Sequence, residues 1–507
     1  MRIQLSVPMM RYVNFIALLI LVFNFSSAPA QTKPRIIITA DPELDDANSL
    51  IRFLLYSSDV KVEGLIYASS QFHWTGDGKG TKFSVPGREY NRNGLNLCPC
   101  ESYRWAKGER FIDDIVELYE KVYPNLKVHH PDYPAPDYLK SKIRFGNIEF
   151  DGDYSKDTPG SDLIKSLLLD DNKEPLFITA WGGQSTIARA LKSIEDQYTK
   201  TKQWQAIKKK VLSKIILLPS GDQDDTYAKY IKPNWPDIDY RQMGKGPNYS
   251  YFAPINPTKE NALYVTPGWV ADNITSRGPL GAYYRVWGDG RQMVKGDIFD
   301  FFGMAGYTSD ELKKMGYVVW MPVLPKGTFL GEGDNPTFMN MLANGLRAYE
   351  QGSFGGWGGK QVVPGVGMGF PDPTQKDTGP PFPNFWPAAQ QDFAARMKWS
   401  LTANYQAANH EPVVTIEGSN NISAKAGEKI KLKGVISDPD HDTITTRWWQ
   451  LQVGTYAGQI NINDSSSPLI EVEVPKDAQK GQTIHLILEA SDQQPVTRYQ
   501  RVIVTVK

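Results

Sequence analysis

The chain has 507 residues, and its 56 basic and 56 acidic side chains leave a formal net charge of zero. A balanced charge provides no overall electrostatic field for nucleic acid or for a membrane surface, so we expect neither as a partner. The length exceeds what one hydrophobic core usually supports and predicts two or three domains.

Residues 1–30 have the pattern of a secretory signal peptide. Two arginines precede the apolar run 15–23, and Ala28 and Ala30 give the small-x-small pattern of a cleavage site. The apolar run is far shorter than the ~20 residues that span a bilayer, so we expect cleavage before Gln31 and no membrane association afterwards. The mature protein is therefore predicted to be secreted or periplasmic.

The acidic residues that follow the first predicted strand form the strongest candidate site. The three isoleucines at 36–38 are β-branched without alternation, which is typical of a strand covered on both faces of a parallel sheet. Pro42 ends the strand, and an apolar helical pattern begins a few residues later. Asp41, Asp45 and Asp46 therefore lie between a strand and a helix, where open α/β sheets bind ligands.

These three acids have two interpretations. An aspartate at a helix start accepts backbone N–H bonds, so N-capping is one of them. Three carboxylates within six positions, however, repel one another unless a cation lies among them. Because oxygen ligands favour Ca²⁺ or Mg²⁺ over zinc, we expect a calcium site and keep capping as the alternative.

Alternating strands and helices over residues 31–410 predict an α/β domain with a mostly parallel sheet. The predicted strands are 35–40, 61–67, 176–180, 214–218, 262–265 and 316–321, and the predicted helices include 48–56, 111–123, 186–193 and 338–351. Insertions rich in Gly, Pro and Tyr at 72–100 and 222–256 are long enough to build a binding surface.

Residues 411–507 have the pattern of a small β-sandwich. Short alternating strands are predicted at 413–416, 430–433, 445–449, 470–473 and 502–505. The acid-rich loop 438–442 resembles a loop of immunoglobulin-like modules, and calcium binding and turn formation are its two interpretations. The predicted fold class is thus an open, mostly parallel α/β sheet flanked by helices and followed by an all-β immunoglobulin-like sandwich.

Aromatic residues in glycine-rich loops favour sugar binding, because their rings stack on the apolar faces of sugars. Trp357 lies in such a loop, within residues 354–359. The alternative role of such rings is to fill the core beneath the loops.

Cys98 and Cys100 are the two cysteines of the chain and are separated by a single residue. Two ligands alone do not form a zinc site. We interpret the pair as a local feature without a catalytic role.

The sequence TADPELDDA around the acids resembles the D-x-D-P-G-x-D-D-A signature of nucleoside hydrolases, which cleave N-ribosidic bonds with calcium-bound water. Asp41, Asp45 and Asp46 match the last three acids of that signature. Thr39 replaces its first Asp, and Glu43 replaces its Gly.

Two further segments resemble the same family. Residues 181–188, WGGQSTIA, match its G-G-L-T-N-I-A turn, which implies that the backbone carbonyl of Ser185 contacts calcium. Residues 331–338, GEGDNPTF, match the segment with a distant metal-binding acid, here Asp334, and Gly333 stands where some members have a histidine. The chain looks most like a branch of exported nucleoside-hydrolase-like proteins with a C-terminal β-sandwich, named through a cellulose-binding member.

The resemblance implies a Ca²⁺ site formed by carboxylates and by the Ser185 carbonyl, with Asp41 as general base for the metal-bound water. The metal ligands would be Asp41, Asp45, Asp46, Ser185 and Asp334. The sugar half of the family site matches less well, because the acid of its A-E-F-N element is absent from residues 227–230. The residues expected to contact substrate are Glu43, Gln71, His73, Trp181, Asp222, Asp225 and Trp357. The candidates for the general acid that protonates the leaving group are His73, Asp222, Asp224 and Asp225. The alternative for these candidates is that they are solvated loop residues.

The sequence therefore predicts an exported, calcium-dependent hydrolase of glycosidic bonds that acts on a glycan or O-glycoside. The missing first Asp and the missing ribose-site acid are the reason for preferring an O-glycoside to a nucleoside. Two alternatives stay open: a non-catalytic, cellulose-type carbohydrate-binding protein and an N-ribosyl nucleoside hydrolase. The sequence also leaves open whether the chain forms a homo-oligomer.

Overall fold

A six-stranded parallel sheet lies at the centre of the computed structural model, which describes residues 33–362 and 381–507. The predicted signal peptide lies outside the described residues. The strands are β1 Arg35–Ala40, β2 Lys61–Tyr67, β3 Ile143–Phe145, β4 Leu176–Ala180, β5 Ile215–Pro219 and β6 Asp239–Tyr240, and a separate antiparallel pair is formed by β7 Gln242–Met243 and β8 Gln361–Val362. The sheet confirms the predicted fold class.

The strand order places β1 between β2 and β4, and this position determines where a site can form. The order is β3-β2-β1-β4-β5-β6, with every neighbouring pair parallel. Ala40 at the end of β1 is level with Tyr67 of β2, and Thr39 is level with Ala180 of β4. The loops after these three strands leave the sheet at the same edge, at the switch point where open α/β sheets bind ligands.

Helices cover both faces of the sheet. The α-helices of the described residues are α1 Leu44–Leu55, α2 Phe111–His129, α3 Pro136–Lys140, α4 Pro159–Leu169, α5 Ser185–Tyr198, α6 Trp204–Leu212, α7 Lys232–Asn234, α8 Pro267–Val270, α9 Gly278–Tyr283, α10 Ser309–Lys314, α11 Asn335–Phe338 and α12 Trp386–Trp399. In the two described ranges, no helix combines the length and the apolar character that crossing a membrane requires.

Alternate residues of β1 pack into separate apolar clusters. Ile36 and Ile38 pack with α1 and α2 on one face, and Ile37 packs with α4 and α5 on the other. Full burial of an isoleucine side chain contributes about 1.5–3 kcal/mol. A strand between two helical layers therefore has no polar face, which is why its sequence shows no alternation.

Three predicted elements are wrong. Residues 262–265 form a short 3₁₀ helix, and residues 316–321 contain no strand. The helix predicted over 338–351 is absent, because α11 ends at Phe338 and only a 3₁₀ turn, Met339–Met341, follows it. Short apolar runs without a clear period do not distinguish helix, strand and buried loop.

The segment after this 3₁₀ turn is not helical because its backbone meets a C-terminal strand. Gly345 has φ of +88°, and a Cβ at this position would lie 1.7 Å from the Tyr499 carbonyl oxygen. The backbone N–H of Tyr499 donates to the Asn344 carbonyl at 2.8 Å, and that of Arg501 donates to the Gly345 carbonyl at 3.1 Å. Hydrogen bonds with a distant segment thus replace those of a helix.

The C-terminal region forms two β-sheets that share an apolar core. Its strands are β9 Val413–Ile416, β10 Asn421–Ala424, β11 Lys429–Ser437, β12 Thr445–Leu451, β13 Leu469–Glu473, β14 Thr483–Ser491 and β15 Thr497–Val506. One sheet has the order β10-β15-β14-β12 and the other β13-β11-β9. Leu432 of β11 packs in one cluster with Trp448 of β12 and Leu486 of β14. This region has the predicted β-rich architecture.

Cys98 and Cys100 form a disulfide in the long loop after β2. Both cysteines contribute to an apolar cluster that includes Trp74 and Tyr90. The bridge is therefore a local part of this loop.

Buried ion pairs connect the α/β part to the sandwich. Asp392 of α12 accepts hydrogen bonds from Arg498 of β15 at 2.5 Å and from Arg396 at 3.3 Å. Arg498 also pairs with Glu411 at 2.9 Å. The described residues after Lys33 belong to one compact unit, and the domain boundary at residue 410 stays a prediction.

Replacing Asp392 by Ala should lower the free energy of unfolding by about 3–5 kcal/mol, because two buried arginines would lose their shared carboxylate. Glu471→Ala is the matched control, since the Glu471–Lys429 pair is exposed and should contribute less than about 1 kcal/mol. Urea titration of the two variants measures the difference. Equal small effects would contradict the role of Asp392 at this interface.

Candidate metal centre

Three aspartates meet at the carboxyl end of β1. Asp41 directly follows β1, and Asp45 and Asp46 lie in the first turn of α1. The backbone N–H of Asp41 donates to Asp46 Oδ1 at 3.1 Å. The N-cap residue of α1, Glu43, makes no side-chain cap bond. Capping alone therefore does not account for these acids.

Asp334 joins the three N-terminal aspartates although it lies almost 300 residues further along the chain. Its Oδ1 accepts a hydrogen bond from the Ser220 hydroxyl at 2.5 Å, whereas its buried Oδ2 has no partner. Burial and the charge of Asp45 raise the pKa of Asp334 well above its ordinary range. We refer to Asp41, Glu43, Asp45, Asp46 and Asp334 as the acid cluster.

Burial and repulsion destabilise the acid cluster when its carboxyls are all ionised. Asp41 is 0% exposed, and neither of its carboxylate oxygens has a hydrogen-bond partner. Burial raises the pKa of Asp41 to about 7. Burial, followed by the charge of Asp334, raises the pKa of Asp46 well above its ordinary range. A cation among the carboxylates would offset the repulsion and satisfy the unpaired oxygens.

The donor set of the acid cluster fits a hard divalent cation. Carboxylate oxygens are the ligands that Ca²⁺ and Mg²⁺ prefer in proteins. The unpaired, buried oxygens of Asp41 and Asp334 are the specific observation that favours an ion at this position. The residues that could hold it are Asp41, Asp45, Asp46 and Asp334.

Positions 182 and 333 require glycine because side chains of the acid cluster lie close to the backbone at both positions. A Cβ on Gly182 would lie 2.9 Å from Cγ of Asp41. The N–H of Gly333 donates to Asp45 Oδ2 at 3.0 Å, and a Cβ on Gly333 would lie 2.3 Å from the same oxygen. Any side chain at position 333 would therefore displace Asp45.

Ser185 begins α5 and is held by Asp224. The backbone N–H groups of Gln184 and Ser185 both donate to Asp224 Oδ2 at 2.9 Å. These two hydrogen bonds fix the backbone that carries the Ser185 carbonyl. Its role as a calcium ligand stays a prediction.

The three aspartates after β5 have structural partners. Asp224 caps α5, and Asp222 accepts two backbone N–H bonds at 3.0 Å from the start of the next helical segment. Burial raises the pKa of Asp222 to about 6. Asp225 pairs with Arg88 at 3.0 Å and with Lys229 at 3.1 Å. These contacts give all three residues structural partners, and their roles as acid or substrate contact stay predictions.

Trp181 and Trp357 pack in the core, and their role in contacting substrate stays a prediction. Each is 1% exposed. The indole N–H of Trp181 donates to the Thr337 hydroxyl at 2.9 Å. The ring of Trp357 lies edge-on to Tyr499, with centroids 6.4 Å apart. A buried ring has no free face on which a sugar can stack.

Gln71 and His73 lie in the loop after β2. The N–H of Gln71 donates to the Gln223 carbonyl at 3.2 Å. One ring nitrogen of His73 lies within 4.8 Å of carboxylate oxygens of Asp41 and Glu43. Of these two predicted substrate residues, His73 is thus the one placed directly at the acid cluster.

An aromatic rim formed by Tyr251, Phe252 and Trp320 extends from the acid cluster to the surface. The Tyr251 hydroxyl donates to Asp45 Oδ1 at 2.7 Å. The Trp320 ring centroid is 5.7 Å from that of Tyr251 and 6.0 Å from that of Phe252. Trp320 is 42% exposed and Phe252 is 49% exposed. Exposed rings beside polar groups provide the stacking surface that sugars use.

Arg104, like Tyr251, is a residue near the acid cluster that no sequence motif identifies. Its guanidinium pairs with Asp297 at 2.8 Å and with Glu89 at 3.4 Å. Burial and the charges of Asp45 and Asp41 raise the pKa of Glu43, and the charge of Arg104 opposes that shift. Arg104 lies just beyond the insertion 72–100, and neither its own sequence context nor that of Tyr251 contains a recognisable pattern.

A cleft of about 400 Å³ lies between the α/β part and the sandwich. We call it the junction cleft. Its lining includes four aromatic rings and a pair of opposite charges, those of Tyr264, Phe385, Trp449, Tyr499, Arg447 and Glu489, and no member of the acid cluster. The indole N–H of Trp449 donates to Glu489 Oε2 at 2.9 Å. Rings next to charged groups are also suited to carbohydrate.

Comparison with known proteins confirms the family that the motifs predict. Residues 35–361 match the family model described as cellulose-binding Sde182, nucleoside hydrolase-like domain. Residues 429–506 match the model described as cellulose-binding protein Sde0182, C-terminal domain. No curated protein matches the chain.

Two solved structures are similar to the chain. One is a nucleoside hydrolase-related hypothetical protein from Saccharophagus degradans that is associated with carbohydrate metabolism. It has a TM-score of 0.65 and 24% identity, over 94% of this chain and 100% of that chain. The other, the type III effector protein XopQ complexed with adenosine diphosphate ribose, has a TM-score of 0.34 and 12% identity, over 73% of this chain and 95% of that chain. The first likeness establishes a shared fold.

Replacing Gly182 by Ala should weaken Ca²⁺ binding at least tenfold, equivalent to about 1.4 kcal/mol, because the new Cβ would displace the Asp41 carboxylate. Gly268→Ala is the matched control, since a Cβ on Gly268 would meet no atom within 4 Å. Calorimetric titration of Ca²⁺ into chelator-stripped protein measures both affinities. Unchanged Ca²⁺ affinity in the Gly182 variant would show that Asp41 does not bind the cation.

Proposed function

This chain belongs to the family described as cellulose-binding Sde182, nucleoside hydrolase-like domain, and we propose that it hydrolyses glycosidic bonds of a carbohydrate with the help of bound Ca²⁺. The observation that carries the proposal is Asp41, whose two buried carboxylate oxygens are unpaired in the middle of the acid cluster. Such an arrangement is unfavourable unless it serves a cation and a proton transfer.

In the proposed reaction, different residues of the acid cluster and the aromatic rim have different roles. Bound calcium would orient a water molecule and increase its acidity. Asp41, at the centre of the cluster, accepts the proton of the attacking water. Glu43 is the most exposed member of the acid cluster, which favours it as the residue that would contact a sugar hydroxyl. Tyr251 positions Asp45 through its hydroxyl, and its ring leads to the exposed Trp320.

A glycan or O-glycoside suits this site better than a nucleoside. Thr39, which replaces the first acid of the resembling signature, donates its hydroxyl to the Thr179 carbonyl at 3.0 Å. It therefore supports the sheet and offers no carboxylate to a ribose. The aromatic rim has two exposed rings, those of Phe252 and Trp320, and this favours a saccharide of more than one unit. The predicted signal peptide favours action outside the cytoplasm, with the protein secreted or periplasmic.

A second candidate function is carbohydrate binding without turnover, and the junction cleft favours it. Trp449 and Tyr499 lie between the two parts of the chain, next to the paired charges of Arg447 and Glu489. This cleft is separate from the acid cluster, so it could retain cellulose whether or not the acid cluster is catalytic. A third candidate is hydrolysis of N-ribosyl nucleosides. The resemblance of the calcium ligands favours it, but the chain lacks the first Asp of the signature and the ribose-site acid.

Asp41→Asn should reduce glycoside hydrolysis by at least about a hundredfold, the usual contribution of a general base, while carbohydrate binding is retained. Asp310→Asn is the matched control, because the Asp310 side chain is exposed and pairs with Lys313. A screen of glycans and nucleosides, with and without Ca²⁺, measures both properties. Efficient cleavage of inosine or uridine by the wild type would overturn the preference for an O-glycoside, and absence of any hydrolysis would favour the binding function.

Trp320→Ala should raise the KM for a soluble oligosaccharide about tenfold, or about 1.4 kcal/mol, because the rim would lose its exposed ring. Trp449→Ala tests the second candidate and should lower retention on insoluble cellulose with no change in KM. Tyr307→Ala is the control, since Tyr307 is also 42% exposed. Loss of both properties in the Trp449 variant alone would assign carbohydrate recognition to the junction cleft.

A further inference from the structure

His73 presents a free nitrogen to the acid cluster. It is 0% exposed, and its Nδ1 lies 2.7 Å from the Arg104 carbonyl oxygen. Because a carbonyl oxygen can only accept, Nδ1 carries the proton and Nε2 carries a lone pair. Nε2 is buried and has no hydrogen-bond partner among the described residues. A buried lone pair of this kind requires a proton donor or a cation.

Glu43 belongs to two groups of potential ligand atoms. In the first group, one atom each of Asp41, Glu43 and His73 lie within 4.8 Å of one another. In the second group, carboxylate oxygens of Glu43, Asp45 and Asp46 satisfy the same limit. Glu43 is also the residue that replaces the glycine of the resembling signature. The carboxylate shared by the two groups is therefore a feature of this chain's own sequence.

We propose that Glu43 bridges two divalent cations, one held with Asp45 and Asp46 and the other held with Asp41 and His73. The first is the calcium of the proposed function, on which this inference rests. The second is a first-row transition ion such as Mn²⁺, Co²⁺ or Zn²⁺. A carboxylate bridge between two ions ~3.5–4 Å apart is the usual arrangement of two-metal sites.

Charge supports the presence of a second cation. The five carboxylates of the acid cluster, of which that of Glu43 is partly exposed and the other four are buried, would still exceed the charge of one divalent ion when all are ionised. The nearby cation of the protein is Arg104, and its guanidinium is already paired with Asp297 and Glu89. A second divalent ion therefore balances most of the remaining negative charge.

The ligand types distinguish the two cations. An imidazole nitrogen binds transition ions more strongly than it binds Ca²⁺, which prefers oxygen. The hydrogen bond from His73 Nδ1 to the Arg104 carbonyl fixes the ring and directs Nε2, as in established metal sites where the second nitrogen of a histidine is held by a carbonyl. Asp45 and Asp46 supply oxygens alone, so the hard cation belongs on their side of Glu43.

Binding of Co²⁺ to chelator-stripped protein tests the proposal, because Co²⁺ absorbs visible light in a way that depends on nitrogen ligation. After one equivalent of Ca²⁺ has been added, the wild type should take up one further equivalent of Co²⁺ with a visible absorption band. A wild type that takes up only one divalent ion in total would overturn the proposal, and this measurement requires no variant.

Two variants assign the ligands. His73→Gln should weaken Co²⁺ binding at least a hundredfold and should leave the first equivalent of Ca²⁺ unchanged. Glu43→Gly, which introduces the residue of the resembling signature, should also abolish the second ion. His441→Gln is the matched control, because His441 is exposed. Unaltered Co²⁺ absorption in the His73 variant would contradict the assignment. Absence of Ca²⁺ binding by the wild type would instead contradict the proposed function.

Discussion

Repulsion among buried carboxylates is the constraint on which the rest of this site depends. The parallel sheet brings Asp41 and the start of α1 to its switch point, and the chain returns near residue 334 to add another acid at the same place. Several neighbours then serve to hold these carboxylates close together: Ser220 and Tyr251 donate to them, and Gly182 and Gly333 leave room for them. A cation among these carboxylates would make such packing favourable.

The position of the site relative to the surface is compatible with the proposed carbohydrate substrate. The acid cluster lies below the surface, where low polarity strengthens its interactions, and Glu43 is its most exposed member. The aromatic rim connects this depth to solvent through Tyr251 and Trp320. The junction cleft provides a second aromatic surface, built by α12 and the sandwich. Polysaccharides contact proteins over several units, and these two surfaces lie on different parts of the chain.

The sequence predicts the elements that have a strong local pattern. The limits of β1, β2 and β4 follow from buried β-branched runs, and the acid motif correctly places Asp41, Asp45 and Asp46 together. The motif match also places Asp334 in the cluster, which no local pattern could do. Tyr251 lies in the insertion 222–256 and Arg104 lies just beyond the insertion 72–100, where position depends on the folded path and not on periodicity. Residues 338–351 fail as a helix because Gly345 must approach Tyr499, a contact visible only in three dimensions. The glycine-rich loop predicts a sugar contact for Trp357, whose ring packs against Tyr499 of the sandwich, and that sugar contact stays a prediction.

Calorimetric titration of Ca²⁺ into the chelator-stripped chain tests the central claim most directly, especially when repeated with Asp334→Asn. Asp334 has an unpaired buried oxygen and lies far from the signature in sequence, so its loss tests the assembled cluster and not the motif alone. The account predicts stoichiometric binding by the wild type and at least tenfold weaker binding by the variant. Absence of Ca²⁺ binding by the wild type would mean that the acid cluster is held together by protonation, and the metal-dependent mechanism would be wrong.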